Sequence, residues 1–254
     1  MNMKKYDLGI ALGGGGSRGF AHLGILQALK ERGVTPDVVS GTSAGSIAGA
    51  LYAGCKNPYD AYQLLKKTKF SDFTKFHLPT DGLFSFDNLR LKLEKLIPAK
   101  NFEDLDIPLY VCVTNFNEGH AEYLNKGPLH IAIQASCAIP VLIAPVKIKN
   151  VFYVDGGLVD NLPVRPLVRR CKKIIGVNIS LYEKIDKIDS LFQVATRTFQ
   201  ISLDNNVRYN KSKCHFYIEP KNMVKYNMLE TKHSDEIFEI GYNHAKKMTL
   251  KGLL

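Results

Sequence analysis

The sequence has no stretch approaching the roughly 18 consecutive apolar residues of a membrane-spanning helix. The N-terminal apolar run, Leu8 to Leu12, is five residues long, too short for the core of a secretory signal. Cysteine is sparse: five residues, at 55, 112, 137, 171 and 214, with no pair in CxxC spacing. An odd count without that spacing argues against a disulfide framework and a zinc site, and fits reduced thiols in a cytosolic protein. There is no internal repeat, low-complexity linker or basic tail. No nucleic-acid recognition motif or stacking platform is present either. The expectation is a cytoplasmic protein without a nucleic-acid partner or bound metal, whose membrane contact, if any, is peripheral at the inner membrane face.

What is present is ordinary for a globular chain. Of 254 residues, 45% are hydrophobic and 23% charged, enough to bury a large core. Lys and Arg number 34 against 24 Asp and Glu, a net charge of +10 spread along the chain. Such a surface favours anionic lipid or nucleic acid without choosing between them.

The first 55 residues read as βαβα. Asp7 to Leu12 is a buried strand and Phe20 to Arg32 a helix stopped by Gly33. Asp37 to Ser40 is a second strand, and Ser46 to Ala53 a close-packed helix. Residues 56–98 break the rhythm, rich in Lys and Phe and closing on a helix over Phe86 to Ile97. Strands then follow at Leu109–Thr114, Val151–Val154 and Ile174–Ile179, with a helix over Leu129–Ala138. A long amphipathic helix over 185–213, a strand at 214–220 and a helix over 233–249 complete the chain. Alternating strands and helices predict an α/β fold with a mostly parallel, helix-covered sheet. We expect one domain over 1–254: a motif-bearing part at about 6–181, an inserted cap at about 56–98 and a helical extension from about 182.

Three glycine-marked turns carry the chemistry. Gly13-Gly14-Gly15-Gly16-Ser17-Arg18-Gly19 joins a strand to a helix. Its glycines let the backbone approach a ligand closely, and the helix N-terminus behind it favours an anion, either a phosphate or a transient oxyanion. Gly41-Thr42-Ser43-Ala44-Gly45 is a G-x-S-x-G elbow, again between strand and helix, which holds a serine hydroxyl clear of the sheet. Val154-Asp155-Gly156-Gly157, followed by Asn161 and Pro163, places an acid at a strand end, either facing the same cleft or merely capping its turn.

The first loop also fits a dinucleotide fingerprint, with Asp37 as the ribose-binding acid. Asp37, however, precedes its strand, whereas that acid belongs at the carboxyl end. A donor cradle and a serine elbow at one sheet edge fit acyl transfer better.

GGGGSRGFAHLG, GTSAGS and DGG-x-x-x-N-x-P, in this order, resemble the patatin-like phospholipase family, as do ASCAIP (135–140) and YVDGGLVDNLPV (153–164). The resemblance runs from about Tyr6 to Ser180 and fades beyond. It implies a three-layer α/β/α sandwich and a serine lipid acyl hydrolase of phospholipase A, lysophospholipase or carboxylesterase type, cleaving a lipid ester through an acyl-enzyme without cofactor. Ser43 would be the nucleophile and Asp155 the general base and acid. The amides of Gly14, Gly15 and Gly16 would form the oxyanion hole, with Arg18 supporting the loop. One departure lies at Val113-Thr114-Asn115, where relatives often carry Thr-Asp.

Two readings compete with this one. An α/β-hydrolase triad would add His215, His233 or His244 to Ser43 and Asp155. A non-catalytic protein would bind lipid or nucleotide on the glycine loop. His22 reads as a packed helix residue, and Ser136, Cys137 and Pro140 as pocket wall. In the cap, Lys66, Lys67, Lys69 and Lys75 stand among Phe70, Phe73, Phe76, Leu83, Phe84 and Phe86. Either the aromatics roof an acyl pocket while the lysines face water, or both rest on an anionic membrane.

Overall fold

The computed structural model describes residues 5–55, 57–68, 72–73, 75–76, 84–182, 184–228 and 230–253. Lys69, Phe70 and Leu83 of the expected cap lie outside them. In chain order the elements are β1 (Tyr6–Leu12), α1 (Phe20–Glu31), β2 (Val38–Thr42), α2 (Ala44–Cys55), α3 (Pro58–Leu65), β3 (Lys75–Phe76), β4 (Phe84–Ser85), α4 (Asp87–Leu96), β5 (Leu109–Asn115) and β6 (His120–Leu124). There follow α5 (Leu129–Ser136), β7 (Val146–Ile148), β8 (Val151–Asp155), α6 (Gly157–Asp160), α7 (Arg165–Val168), β9 (Cys171–Val177), α8 (Leu191–Lys211), β10 (Phe216–Ile218) and α9 (Ser234–Lys247).

An eight-stranded sheet runs β10-β9-β1-β2-β5-β8-β7, with β6 also on β5. The pairs from β10 through β5 are parallel, while β6, β8 and β7 join antiparallel. Parallel strands need helical crossovers, and these cover both faces. Side chains alternate across the sheet. On one face Ile10, Leu12, Val39, Ile175 and Val177 enter the main core beneath α1, α2, α5 and α9. On the other, Ala11, Val38 and Ile174 meet Leu162, Leu167 and Val207 from the α7 and α8 layer. The result is the expected α/β/α sandwich.

The register on β5 decides where the site forms. β6 pairs with Val111 to Asn115, occupying one edge. β2 and β8 therefore share the other, approaching from opposite directions. Thr42, the last residue of β2, pairs with Cys112; Asp155, the last of β8, pairs with Val113. The two strands end head to head at consecutive positions of one ruler.

The insertion between α2 and β5 holds α3, the β3–β4 hairpin and α4. The chain after 181 enters the same architecture. β10 extends the sheet beside β9, α8 lies against α6, and α9 packs on α1, where Gly24 faces the Phe238 carbonyl and Gly241 the Ala21 carbonyl.

Candidate active site

Ser43 stands between β2 and α2 with φ 51, a left-handed conformation that strains a residue with a β-carbon. The elbow tolerates nothing larger than glycine on either side. A β-carbon on Gly41 would lie 2.4 Å from the Gly45 carbonyl oxygen, and one on Gly45 would lie 2.1 Å from that of Leu12. The turn is pinned from behind: the Ser43 N–H donates to Ser136 Oγ at 2.8 Å, and Ser136 Oγ donates to the Cys112 carbonyl at 2.6 Å. Ser136 is thus a brace under the serine rather than pocket wall.

Asp155 is fully buried at the end of β8. Its Oδ1 accepts the Gly157 N–H at 2.8 Å, and its Oδ2 has no hydrogen-bond partner among the described residues. Burial pushes its carboxyl up to about 7, against the opposing pull of the Ser43 hydroxyl and the Gly157 N–H. A carboxylate in this setting is a far stronger base than a free aspartate, and one of its oxygens is uncommitted. The register on β5 brings it beside Ser43, whose hydroxyl interacts with its carboxyl.

The glycine loop crosses above them. The Gly14 N–H donates to Asn161, to Oδ1 at 3.0 Å and to the backbone oxygen at 3.3 Å. Of the three amides expected to form an oxyanion hole, that of Gly14 is thus engaged, while no hydrogen bond of the Gly15 or Gly16 N–H is found among the described residues. Gly14 serves by its lack of a side chain: a β-carbon there would lie 2.6 Å from Asn161 Oδ1 and 3.1 Å from Ser43 Cβ.

Arg18 is buried beneath the loop. Its guanidinium donates to the carbonyls of Tyr226 (2.9 and 2.8 Å), Val224 (3.2 Å) and Leu181. The Ser17 N–H donates to Met228 O at 2.7 Å. The loop is thus tied to residues 224–228, a segment in which no motif pointed to the site.

Asn161 and Asp160 form a second brace that sequence reasoning missed. Asn161 Nδ2 donates to Ser180 Oγ at 3.0 Å, and its N–H to Asn206 Oδ1 at 2.7 Å. The Asp160 carbonyl accepts Thr42 Oγ1 at 2.9 Å. The Asp160 carboxylate meets Asn210 Nδ2 at 2.7 Å, the Tyr123 hydroxyl, and Arg165 Nε at 3.9 Å. Burial raises its pKa to about 6, with Tyr123 and Arg165 opposing. The Asn in DGG-x-x-x-N was a visible signal; its bonding partners were not.

Beside Ser43 opens an apolar cavity of about 100 Å³, lined among others by Phe20, Ile47, Leu65, Phe73, Phe86 and Met228. Phe73 and Phe86 of the insertion line it, whereas Phe84 does not. Cys137 also lines it, but burial pushes its thiol pKa far up, which removes it as a nucleophile. Pro140 is not among the residues lining this cavity.

Neither the histidine triad nor the Asp37 dinucleotide reading finds its geometry. His215 Nδ1 accepts the Ile174 N–H at the sheet edge, His233 pairs with Glu236, and neither they nor His244 lines the cavity. Asp37 accepts the N–H groups of Asp7 and Leu8 at the amino end of β1, opposite the glycine loop. His22 is buried, its Nε2 2.7 Å from Gly13 O. Facing a carbonyl, that nitrogen must donate, and burial lowers the ring's pKa to about 4, so His22 is a neutral prop of the loop. No group of His, Cys, Asp and Glu among the described residues is arranged to hold a metal ion, and no helix among them is long and apolar enough to cross a membrane.

A family model described as Patatin-like phospholipase matches residues 10–168. The chain is 26% identical to the lysophospholipase nte1 of Emericella nidulans over 282 residues, which takes in 96% of this chain and 18% of that protein. It is 34% identical over 185 residues to the lysophospholipase NTE1 of Candida glabrata, covering 68% of this chain and 10% of that protein. An uncharacterized NTE family protein of Mycobacterium bovis is 32% identical over 174 residues, 68% of this chain and 46% of that protein. The chain therefore spans less than half the length of these relatives. Among solved structures, VipD of Legionella pneumophila superposes with a TM-score of 0.52 at 15% identity, covering 95% of this chain and 66% of that one. At that identity the likeness concerns the fold alone.

Proposed function

This chain belongs to the patatin-like phospholipase family, and on that premise we propose that it hydrolyses carboxylic esters of lipids through Ser43 and Asp155. The observation that carries the reading is the meeting of β2 and β8 on β5, which sets a strained serine beside a buried aspartate at the mouth of an apolar cavity. Lysophospholipids are the first substrates to test, because two of the relatives bear that activity in their names.

In this reading the acyl chain enters the cavity and Ser43 Oγ attacks the ester carbonyl. Asp155 Oδ2 takes the hydroxyl proton as the new C–O bond forms. The oxyanion settles on the N–H groups of Gly15 and Gly16, each such donor being worth roughly 2.7–4 kcal/mol in the transition state. Collapse breaks the ester bond, and the departing alcohol takes the proton from Asp155. Water then attacks the acyl-enzyme, giving a proton to Asp155 that returns to Ser43 as the fatty acid leaves. No cofactor enters. Membrane contact and location follow the substrate: a peripheral protein that meets lipid at a surface.

Labelling with a fluorophosphonate, followed by peptide mapping, tests the nucleophile. We expect stoichiometric modification of Ser43 and none in Ser43→Ala. An unlabelled, folded wild-type protein would overturn the reading. Asn161→Ala should lower kcat by up to about 100-fold while leaving KM within a few-fold, because the loop loses its side-chain clamp but keeps the cavity. Steady-state kinetics on a monomeric ester check this, and an unchanged kcat would remove Asn161 from the positioning of the loop.

A further inference from the structure

Three neighbouring parallel strands end level with one another at the edge of the sheet that carries the glycine loop. Ile218 of β10 stands opposite Val177 of β9, and Val177 opposite Leu12 of β1. The residues just beyond them, Glu219, Asn178 and Gly13, therefore lie side by side. The polar groups there form one line of hydrogen bonds. The Gly14 N–H donates to Asn161 Oδ1 at 3.0 Å, and Asn161 Nδ2 donates to Ser180 Oγ at 3.0 Å. Ser180 Oγ donates to Asn178 Oδ1 at 2.7 Å, and Asn178 Nδ2 to Glu219 Oε2 at 2.9 Å. Every link donates in the same direction, away from the glycine loop, so each bond polarises the next. Asn161, Asn178 and Ser180 are buried, whereas Glu219 is half-buried and borders a surface groove with Glu239 and His244. The line thus runs from the surface to the loop beside Ser43.

The direction of this line has one physical origin. An asparagine amide can present either its oxygen or its nitrogen, and a serine hydroxyl can rotate; an ionised carboxylate can only accept. Glu219 Oε2 takes the Tyr217 hydroxyl at 2.5 Å and faces Asn178, so that amide must turn its Nδ2 toward the carboxylate. Asn178 Oδ1 then faces Ser180, which supplies both its N–H, at 3.1 Å, and its hydroxyl. With its hydrogen spent, Ser180 Oγ can only accept from Asn161. Asn161 is left with Oδ1 toward the Gly14 N–H. Reversed, it would set Nδ2 against that N–H, donor against donor.

We propose that Glu219 is a positioning residue for the reaction at Ser43: acting through Asn178, Ser180 and Asn161, it fixes the amide that holds Gly14, and with it the glycine loop beside the nucleophile. The effect on rate rests on the lipid-ester reading above; the orientation of the hydrogen-bonded line does not.

The test uses Glu219→Ala, which removes the terminal acceptor, and Glu219→Gln, whose amide oxygen can still take both bonds. On a short-chain, water-soluble ester, kcat should fall about tenfold in Glu219→Ala, the scale of one lost hydrogen bond, with KM unchanged. Glu219→Gln should turn over close to the wild type. In an Asn161→Ala background, Glu219→Ala should lower kcat no further, because the line is already cut. Glu239→Ala removes the other carboxylate lining the groove and should leave kcat alone. An equal loss from Glu219→Ala in both backgrounds would overturn the proposal. So would a glutamine variant as slow as the alanine one, or a lowered melting temperature with kcat unchanged. If Glu219→Ala does not fold, Ser180→Ala cuts the same line next to Asn161 and carries the same expectations. Amide hydrogen exchange reads the orientation without turnover: the Gly14 N–H should exchange about tenfold faster in Glu219→Ala than in the wild type. Faster exchange in a protein without esterase activity would keep the positioning line and remove the lipid-ester reading. Unchanged exchange would remove the positioning line.

Discussion

Asp155→Asn is expected to lower ester turnover roughly a thousandfold or more, the range lost when a general base is removed, while making the protein more stable at pH 8. The two effects have one cause. The carboxyl is buried, and burial lifts its pKa from 3.8 to about 7. In the folded protein it therefore holds its proton across a range in which the unfolded chain has lost it. Stability from this group is fully present below about pH 4 and is lost as pH rises toward 7. Each pKa unit corresponds to about 1.4 kcal/mol. The asparagine keeps the Gly157 N–H bond through its amide oxygen but never ionises. Its melting temperature should exceed that of the wild type by several degrees at pH 8 and match it near pH 4. The same titration sets the activity profile: only the ionised carboxylate accepts the serine proton, so wild-type kcat/KM should climb through pH 7 to a plateau. Turnover by the asparagine variant close to wild type, or a wild-type profile flat from pH 5 to 8, would show that Asp155 is not the base.

Gly45→Ala is expected to cost more than about 4 kcal/mol, the range reached only by severe structural conflicts, and to leave little folded protein. The added carbon would lie 2.1 Å from Leu12 O and 2.8 Å from Gly13 O, both backbone atoms at the end of the central strand β1. Neither can move without shifting the glycine loop. Gly33→Ala is the control: its φ of +74 strains an alanine, but no atom lies within 4 Å of the new carbon. That variant should lose only about 1–2 kcal/mol. Denaturant midpoints of the two proteins check the difference. A Gly45→Ala protein as stable as Gly33→Ala would mean that α2 can slide away from β1, and that the elbow is not held as tightly as its contacts imply.

The readable parts of this protein were those governed by nearby residues. Glycine turns, strand ends and helix stops are local, so Ser43, the loop around Gly15 and the strand carrying Asp155 were legible, and the motif order carried the family. Helix α3 was legible too, though it went unread: Asn57 caps it, accepting the Tyr59 N–H, and Pro58 opens it. Strand β6 gave no such signal. HAEYL is exposed or half-buried along its length, and its partner on β5 is set by the sheet rather than by its own pattern.

The long-range matters belonged to the tertiary structure. Nothing local says that β8 runs antiparallel to β5, yet that direction brings Asp155 to Val113 beside the Thr42–Cys112 pair. The glycine loop looked like three equivalent amides. Asn161, 147 residues away, takes one of them. The tail after 181, which carried no motif, supplies Asn206, Asn210 and Met228 to the braces and the cavity. Which residues can do chemistry is written in the amino-acid order alone, because residue type and turn geometry are properties of a few neighbouring positions. Which of them meet, how basic Asp155 becomes and which face of α8 is left in water follow from register, burial and packing, which belong to the whole folded chain.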